Sequence, residues 1–202
     1  MDFLEKILDG GLLKKMRIIR GKFRNKKLYF PKNTKTRPLK DNVKENIFNI
    51  LEHSSNIDFK IRNSFTLDLY AGTGSFGLEC LSRGSSHVFF VEKDSDALTN
   101  LKRNIINLNI ENNVTVYSQD VLKFFQDSIL KKKIDLIFLD PPYKNEDYKD
   151  IFKIIKKKDI LKKKHIFLLH REKGTDHNVP EELDVIETRV YGRSEIFFLR
   201  LF

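Results

Sequence analysis

Phe65-Thr66-Leu67-Asp68-Leu69-Tyr70-Ala71-Gly72-Thr73-Gly74-Ser75-Phe76-Gly77 runs an apolar segment into a G-x-G-x-x-G spacing. Phe65 to Tyr70 is expected to be a buried strand, and Phe76 to Ser82, ended at Gly84, a helix. Glycines at such a junction permit a tight turn and a close approach of backbone to ligand. Glu92 ends the next expected strand 20 residues after Gly72, where an acid can receive ribose hydroxyls. The context predicts a nucleoside cofactor across the strand ends; the plainer alternative is a βα turn that only needs small residues.

Dinucleotides and S-adenosylmethionine both suit such a loop. Asp68, four residues before Gly72, separates them. A carboxylate repels a pyrophosphate but attracts the ammonium of a methionine moiety. Asp120 follows the expected strand Val114 to Tyr117 and can accept from an adenine amino group, or cap the next helix. The expected cofactor is therefore S-adenosylmethionine, with a dinucleotide oxidoreductase as the disfavoured reading.

Outward from this stretch, strands and helices alternate. Strands are expected at His87 to Val91, Val114 to Tyr117, Ile134 to Leu139, Ile166 to His170, Asp184 to Val190 and Glu195 to Phe202. Helices are expected at Ser95 to Asn107, near Val121 to Leu130, and at Tyr148 to Ile160. Repeated βα units imply an α/β, mostly parallel sheet with helices on both faces. Tyr191-Gly192-Arg193-Ser194 is too short for a parallel crossover, so the last two strands should form an antiparallel hairpin. Upstream, Met16 to Phe30 reads as a short β-hairpin turning near Asn25, and Asp41 as the cap of a helix with Val43, Ile47, Phe48, Ile50 and Leu51 on its apolar face. Met1 to Lys15 reads as a short amphipathic helix ended by Gly10-Gly11. The division is thus an extension (1–15), a basic arm and helix (16–62), and the catalytic domain (63–202).

Asp140-Pro141-Pro142-Tyr143 follows the run Ile134 to Leu139, at the carboxyl end of a strand where ligands collect in open parallel sheets. Asp140 offers acceptors to an amino group, and the two prolines make a stiff turn without N–H donors. Tyr143 offers a flat face to a base. Together they suit a planar ring bearing an exocyclic NH₂; a strand followed by a Pro-Pro turn is the bland alternative.

The chain has 202 residues, 33% of them charged and 40% hydrophobic, consistent with one soluble globular domain and a small appendage. No apolar stretch is long enough to span a bilayer, and the start lacks the pattern of a secretory signal. The single cysteine, Cys80, excludes an internal disulfide framework and suits a reducing cytoplasm. The five histidines show no metal-ligand spacing, and no metal is expected. The net charge of +10 is regional: Lys14 to Lys44 holds 13 Lys/Arg against one acid, Asp41, while the remainder holds 25 Lys/Arg against 27 Asp/Glu. The lysine runs Lys131–Lys133, Lys156–Lys158 and Lys162–Lys164 read as solvated helix ends and loops. Arg17, Arg20, Lys22, Arg24, Lys26 and Lys27 instead interleave with Phe23, Tyr29 and Phe30, as a nucleic-acid surface would.

Asp68-x-x-Ala71-Gly72-x-Gly74 together with Asp140 to Tyr143 resembles the amino-group-modifying class I S-adenosylmethionine-dependent methyltransferases. Met16 to Phe23, Thr36-Arg37-Pro38, Asp41 to Asn49, Leu78 to Gly84, Val91-Glu92-Lys93-Asp94 and Tyr191-Gly192 resemble, in order, the bacterial RsmD family over nearly the whole chain. That resemblance implies a Rossmann-like methyltransferase fold with a seven-stranded sheet. It also implies methylation of the N2 amino group of a guanine in small-subunit ribosomal RNA. It assigns Asp68, Ala71, Gly72, Thr73, Gly74, Glu92, Asp120 and Val121 to the cofactor, and Thr36 and Arg37 to its mouth. Asp140 and the Pro141 carbonyl would accept from the guanine N2 hydrogens, Pro142 would stiffen the turn, and Tyr143 would stack on the extracted base. The expected partner is ribosomal RNA in the small subunit or an assembly intermediate, and the protein a monomer.

Two departures stand out: Arg20 where the family has Gly, and Leu39-Lys40 where Thr-Ser or Thr-Thr is usual. Met1 to Lys15 has no counterpart. The alternatives are a DNA amino-methyltransferase, which usually carries a recognition domain for which there is no room, and a silent RNA-binding module on the same fold. His170, in His170-Arg171-Glu172, is expected to be a satisfied structural histidine.

Overall fold

The computed structural model describes residues 16–31, 39–127, 130–142, 148–174 and 179–202. The expectations for Met1 to Lys15, Thr36-Arg37-Pro38 and Tyr143 lie outside the described residues.

In chain order the elements are α1 (Asp41–His53), β1 (Phe65–Leu69), α2 (Ser75–Ser82), β2 (His87–Glu92), α3 (Ser95–Leu108), β3 (Val114–Ser118), α4 (Val121–Asp127), β4 (Ile134–Leu139), α5 (Tyr148–Lys158), β5 (Leu161–Glu172), β6 (Leu183–Tyr191) and β7 (Ser194–Leu201). The seven strands lie in the order β3-β2-β1-β4-β5-β7-β6. The first five are parallel, and β7 pairs antiparallel with both β5 and β6. The expected mostly parallel sheet with an antiparallel C-terminal hairpin is therefore present. Strand order reverses between β1 and β4, so their carboxyl ends open the crevice in which such sheets bind ligands.

Alternation along each strand divides the core in two. Leu136 and Phe138 face one layer with Phe48 of α1, Phe76 of α2 and Leu101 of α3. Ile137 and Leu139 face the other with Phe124 of α4 and Phe152 of α5. Met16, Ile18 and Leu28 are buried in the first layer, so the basic arm is part of the core on that face.

Three local expectations need correcting. The arm is a turn closed by a single bridge, Arg17 to Lys27, rather than two strands. Much of its backbone is held by α2 instead: Ile19 and Arg20 N–H donate to Glu79 (2.8 and 3.0 Å), and Lys22 and Phe23 N–H to the carbonyl and hydroxyl of Ser82 (2.8 and 2.9 Å). Gly21, at φ 86°, lies so close that a Cβ would sit 1.9 Å from the Ser82 carbonyl oxygen. Second, Asp41 is the first residue of α1, not its cap; the cap is Lys40, which makes no side-chain capping bond, and Asp41 turns toward Arg17 (3.7 Å) and Lys44 (4.0 Å). Third, Lys162–Lys164 are not helix-end residues but begin β5. The register shifts between Ile134 and Leu136, and Lys162 and Lys164 reach Asp135 (2.8 Å) and Asp58 (2.5 Å).

Candidate cofactor and substrate site

The chain leaves β1 through Tyr70 at φ 59°, Gly72 at 56° and Gly74 at 83°. These left-handed residues turn it into α2 within a few positions. A Cβ at Gly74 would meet Leu101 at 2.4 Å, and one at Gly77 would meet Phe90 at 2.4 Å, so both glycines let helices pack closely. Gly72 differs: a Cβ there would meet nothing within 4 Å, which leaves the backbone open to a ligand.

This loop forms one side of a cavity of about 490 Å³ at the ends of β1, β2 and β4. That volume suits a nucleoside-sized ligand. Asp68, Ala71, Gly72, Thr73, Glu92, Asp120 and Val121 line it together with Asp140, Pro141 and Pro142. Gly74 is buried beneath, capping α2.

Each acid has a distinct setting. Asp68 is buried and accepts from the Gly77 N–H (2.9 Å). Burial pushes its carboxyl well up, against the pull of that N–H, with Asp140 and Glu92 adding to the rise. A cationic ligand beside it would favour its ionised form. Glu92 accepts from Gly72 (2.7 Å) with one oxygen and from Lys93 and Asp94 (both 2.8 Å) with the other, tying β2 to the glycine loop. Asp120 does two jobs the sequence left as alternatives or did not show. One oxygen accepts from the Leu122 N–H at the start of α4 (2.9 Å), and the other from Lys93 (2.9 Å), which lowers its pKa.

Asp140 is half-buried at the end of β4, and its backbone N–H reaches the Leu69 carbonyl of β1 (3.5 Å). Its Oδ1 lies 2.8 Å from Nδ1 of His170. Pro141 is buried and Pro142 exposed, with the Pro142 carbonyl accepting from Arg171 (3.4 Å).

Met16, Phe30 and Leu39 form an apolar wall of the cavity, so the arm shapes the cofactor site as well as the outer surface. Leu39, one of the departures from the RsmD pattern, supplies apolar surface where that pattern has a hydroxyl. Arg17, Arg20, Lys22, Arg24, Lys26 and Lys27 are all exposed, but Arg17 pairs with Asp41 (3.7 Å) and Arg20 with Glu52 (3.5 Å), while Lys22 lies over the Phe23 ring (5.3 Å). Lys22, Arg24, Lys26 and Lys27 are exposed around the turn, and Arg103 of α3 stacks on the exposed ring of Tyr29 (4.1 Å) beside them.

Reading by sequence passed over three buried residues that join arm to loop. Asn104 accepts from the Tyr29 N–H (2.7 Å) and donates to the carbonyls of Tyr29 and Thr73 (both 3.1 Å). Lys44 donates to the Arg17 carbonyl (3.0 Å) and to Ser75 at the start of α2 (3.1 Å), with Glu79 3.9 Å away. Glu79 also binds Arg83 (2.9 Å), which reaches Glu52 (2.8 Å). The available signal was a polar residue on an apolar helical stripe: Asn104 among Leu101, Ile105 and Leu108, and Lys44 beside Val43, Ile47 and Phe48.

The sheet order, the glycine loop and the cavity at the switch point define a Rossmann-like methyltransferase. Residues 16–200 match the family model described as Conserved hypothetical protein 95, and the chain belongs to that family. It is 32% identical to "Putative rRNA methyltransferase YlbH" of Bacillus subtilis, over 88% of this chain and 94% of that one. It is 30% identical to "Ribosomal RNA small subunit methyltransferase D" of Haemophilus influenzae, over 94% and 95%. The solved structure of a methylase from Haemophilus influenzae, named there as putative, superposes with a TM-score of 0.71 at 28% identity, covering 92% of this chain and 97% of the other.

Proposed function

We propose that the protein transfers a methyl group from S-adenosylmethionine to the exocyclic N2 amino group of a guanine in small-subunit ribosomal RNA. In this reading it acts as a cytoplasmic monomer. The observation that carries the reading is the sharing of one cavity by two unlike sets of residues. A glycine loop with three acids lines it together with Asp140 and a donor-free proline turn.

The residues fit the cofactor chemically. S-adenosylmethionine supplies an electrophilic methyl on a sulfonium, in a molecule that bears an ammonium and no phosphate. Asp68 would hold the ammonium, Glu92 the ribose hydroxyls, and Asp120 with Val121 the adenine. Ala71, Gly72, Thr73 and Gly74 would form the cradle, with Thr36 and Arg37 at its mouth. Asp140 and the Pro141 carbonyl would accept the two amino hydrogens, so that the nitrogen lone pair points at the methyl. Pro142 holds the turn, and Tyr143 would stack on the base. The reaction needs little beyond positioning of the two partners. Segment 16–62 is the RNA-contacting arm, with Arg17, Arg20, Lys22, Arg24, Lys26 and Lys27 meeting phosphates. The ribosomal RNA methyltransferase names of the relatives support this substrate class.

The test is transfer of a tritiated methyl group to small subunits from a strain lacking the enzyme, followed by mapping of the labelled base. Label on guanine N2 is expected; label on adenine, on cytosine or on duplex DNA would replace this reading. Asp140→Ala should abolish transfer while leaving cofactor affinity within about threefold, since the carboxylate acts on the acceptor amine.

A further inference from the structure

Two of the five histidines are buried in β5, and they are held differently. His165 bonds only to backbone, with Nδ1 at the Lys162 carbonyl (2.7 Å) and Nε2 accepting from the Leu201 N–H (3.1 Å). That is a structural histidine. His170 instead turns its Nδ1 to a side chain, the Asp140 carboxylate at 2.8 Å, and lines the same cavity.

The parallel register sets this up. Leu139 pairs with Leu169, so Asp140, leaving the end of β4, lies beside His170, which is still held in β5 by its pairing with Ile196 of β7. Only 7% of the His170 side chain is exposed, against 26% for Asp140, so the imidazole braces the carboxylate from the buried side. An ionised carboxylate can only accept, so Nδ1 carries the hydrogen. The next residue holds the following turn, because Arg171 donates to the Pro142 carbonyl (3.4 Å) and packs on the Tyr148 ring (4.8 Å).

We infer that His170 is a positioning residue for methyl transfer: its Nδ1–H occupies Oδ1 of Asp140 and turns Oδ2 to the acceptor amine. The inference rests on the methyl-transfer reading above. As the C–N bond forms, the C–S bond breaks, the sulfur leaves as a neutral thioether, and the nitrogen must shed a proton. Oδ2 is the acceptor for that proton. A carboxylate without its brace rotates about its side-chain bonds, and a displacement of about 1 Å at such a centre costs on the order of a hundredfold in rate.

The test compares His170→Leu, which removes the donor, with His170→Asn, whose amide N–H can take the place of Nδ1–H. His170→Leu should lower kcat about a hundredfold while KM for RNA and Kd for S-adenosylmethionine stay within about threefold. His170→Asn should restore at least about a tenth of the wild-type kcat. A purely structural histidine would lose stability and activity together, without rescue by Asn. Wild-type kcat in a folded His170→Leu, or a folded His170→Asn as slow as His170→Leu, would overturn the assignment. If the wild type modifies a different base, the same ratios are read on that base. If it modifies none, the methyl-transfer reading has failed. The imidazole ¹⁵N shifts then decide the brace: a Nδ1–H tautomer in the wild type that is lost in Asp140→Ala supports it, and an unchanged tautomer refutes it.

Discussion

Replacing Asn104 by Ala should both loosen the arm and weaken the cofactor. The side chain makes three hydrogen bonds and has no exposed surface. Two of its partners, the Tyr29 N–H and carbonyl, are only part-buried, so water can replace much of what they lose. The third, the Thr73 carbonyl, is bonded in a buried setting inside the glycine loop, where a lost partner leaves the oxygen desolvated. Buried unsatisfied groups cost about 1–3 kcal/mol each, so the total should be about 2–4 kcal/mol. Urea unfolding measures it. The loop also loses its tether to α3, and a cradle that must be re-ordered on binding should give up about 1.4 kcal/mol, roughly tenfold in Kd for S-adenosylmethionine by calorimetry. Asn104→Asp keeps only the acceptance from the Tyr29 N–H: its carboxylate can donate to neither the Tyr29 nor the Thr73 carbonyl, so arm and loop should both loosen. If Asn104→Ala loses the expected stability yet binds cofactor within about twofold of wild type, the tether does not hold the loop and the reasoning fails.

Two further outcomes are expected. Asp68 has a folded pKa raised by burial, so its contribution to stability is complete below the ordinary carboxylate range and declines as pH rises toward the raised value. The Tm of the cofactor-free protein should therefore fall over that interval relative to Asp68→Asn, with S-adenosylmethionine narrowing the gap; parallel curves would place the ionisation elsewhere. Substituting Arg24, Lys26 and Lys27 by Ser should reduce the salt slope of RNA binding by about two to three units, with cofactor affinity unaffected, as each phosphate contact contributes about 0.7–0.9. An unchanged slope in filter-binding titrations would remove the exposed turn from the RNA interface.

The parts of this molecule that were legible in sequence are those whose signal is local. The βα rhythm, the glycine spacing after β1 and the donor-free turn after β4 all lie within a few residues, where periodicity and turn chemistry act. Contacts that cross the chain were not legible. Asn104 meets Tyr29 across 75 positions and Glu79 meets Ile19 across 60, and a helical stripe shows that a side chain is inward without saying what it meets. His170 illustrates the limit: a satisfied structural histidine was expected, but the Asp140 partner arises from parallel register. Lys162–Lys164 misled because a lysine run looks solvated in any conformation, and these extend a strand whose register is broken.

Glu79 and Ser82 hold the arm by its peptide groups, not by its side chains. Attachment of that kind is indifferent to residue identity except at Gly21, where no side chain fits. The outward side chains of the arm can therefore diverge between related proteins while the arm stays seated and the cofactor wall stays intact. Arg20 illustrates the separation: its N–H donates to Glu79 (3.0 Å), while its exposed guanidinium reaches out to Glu52 (3.5 Å). The chemistry of this surface can therefore change without re-engineering the domain beneath it.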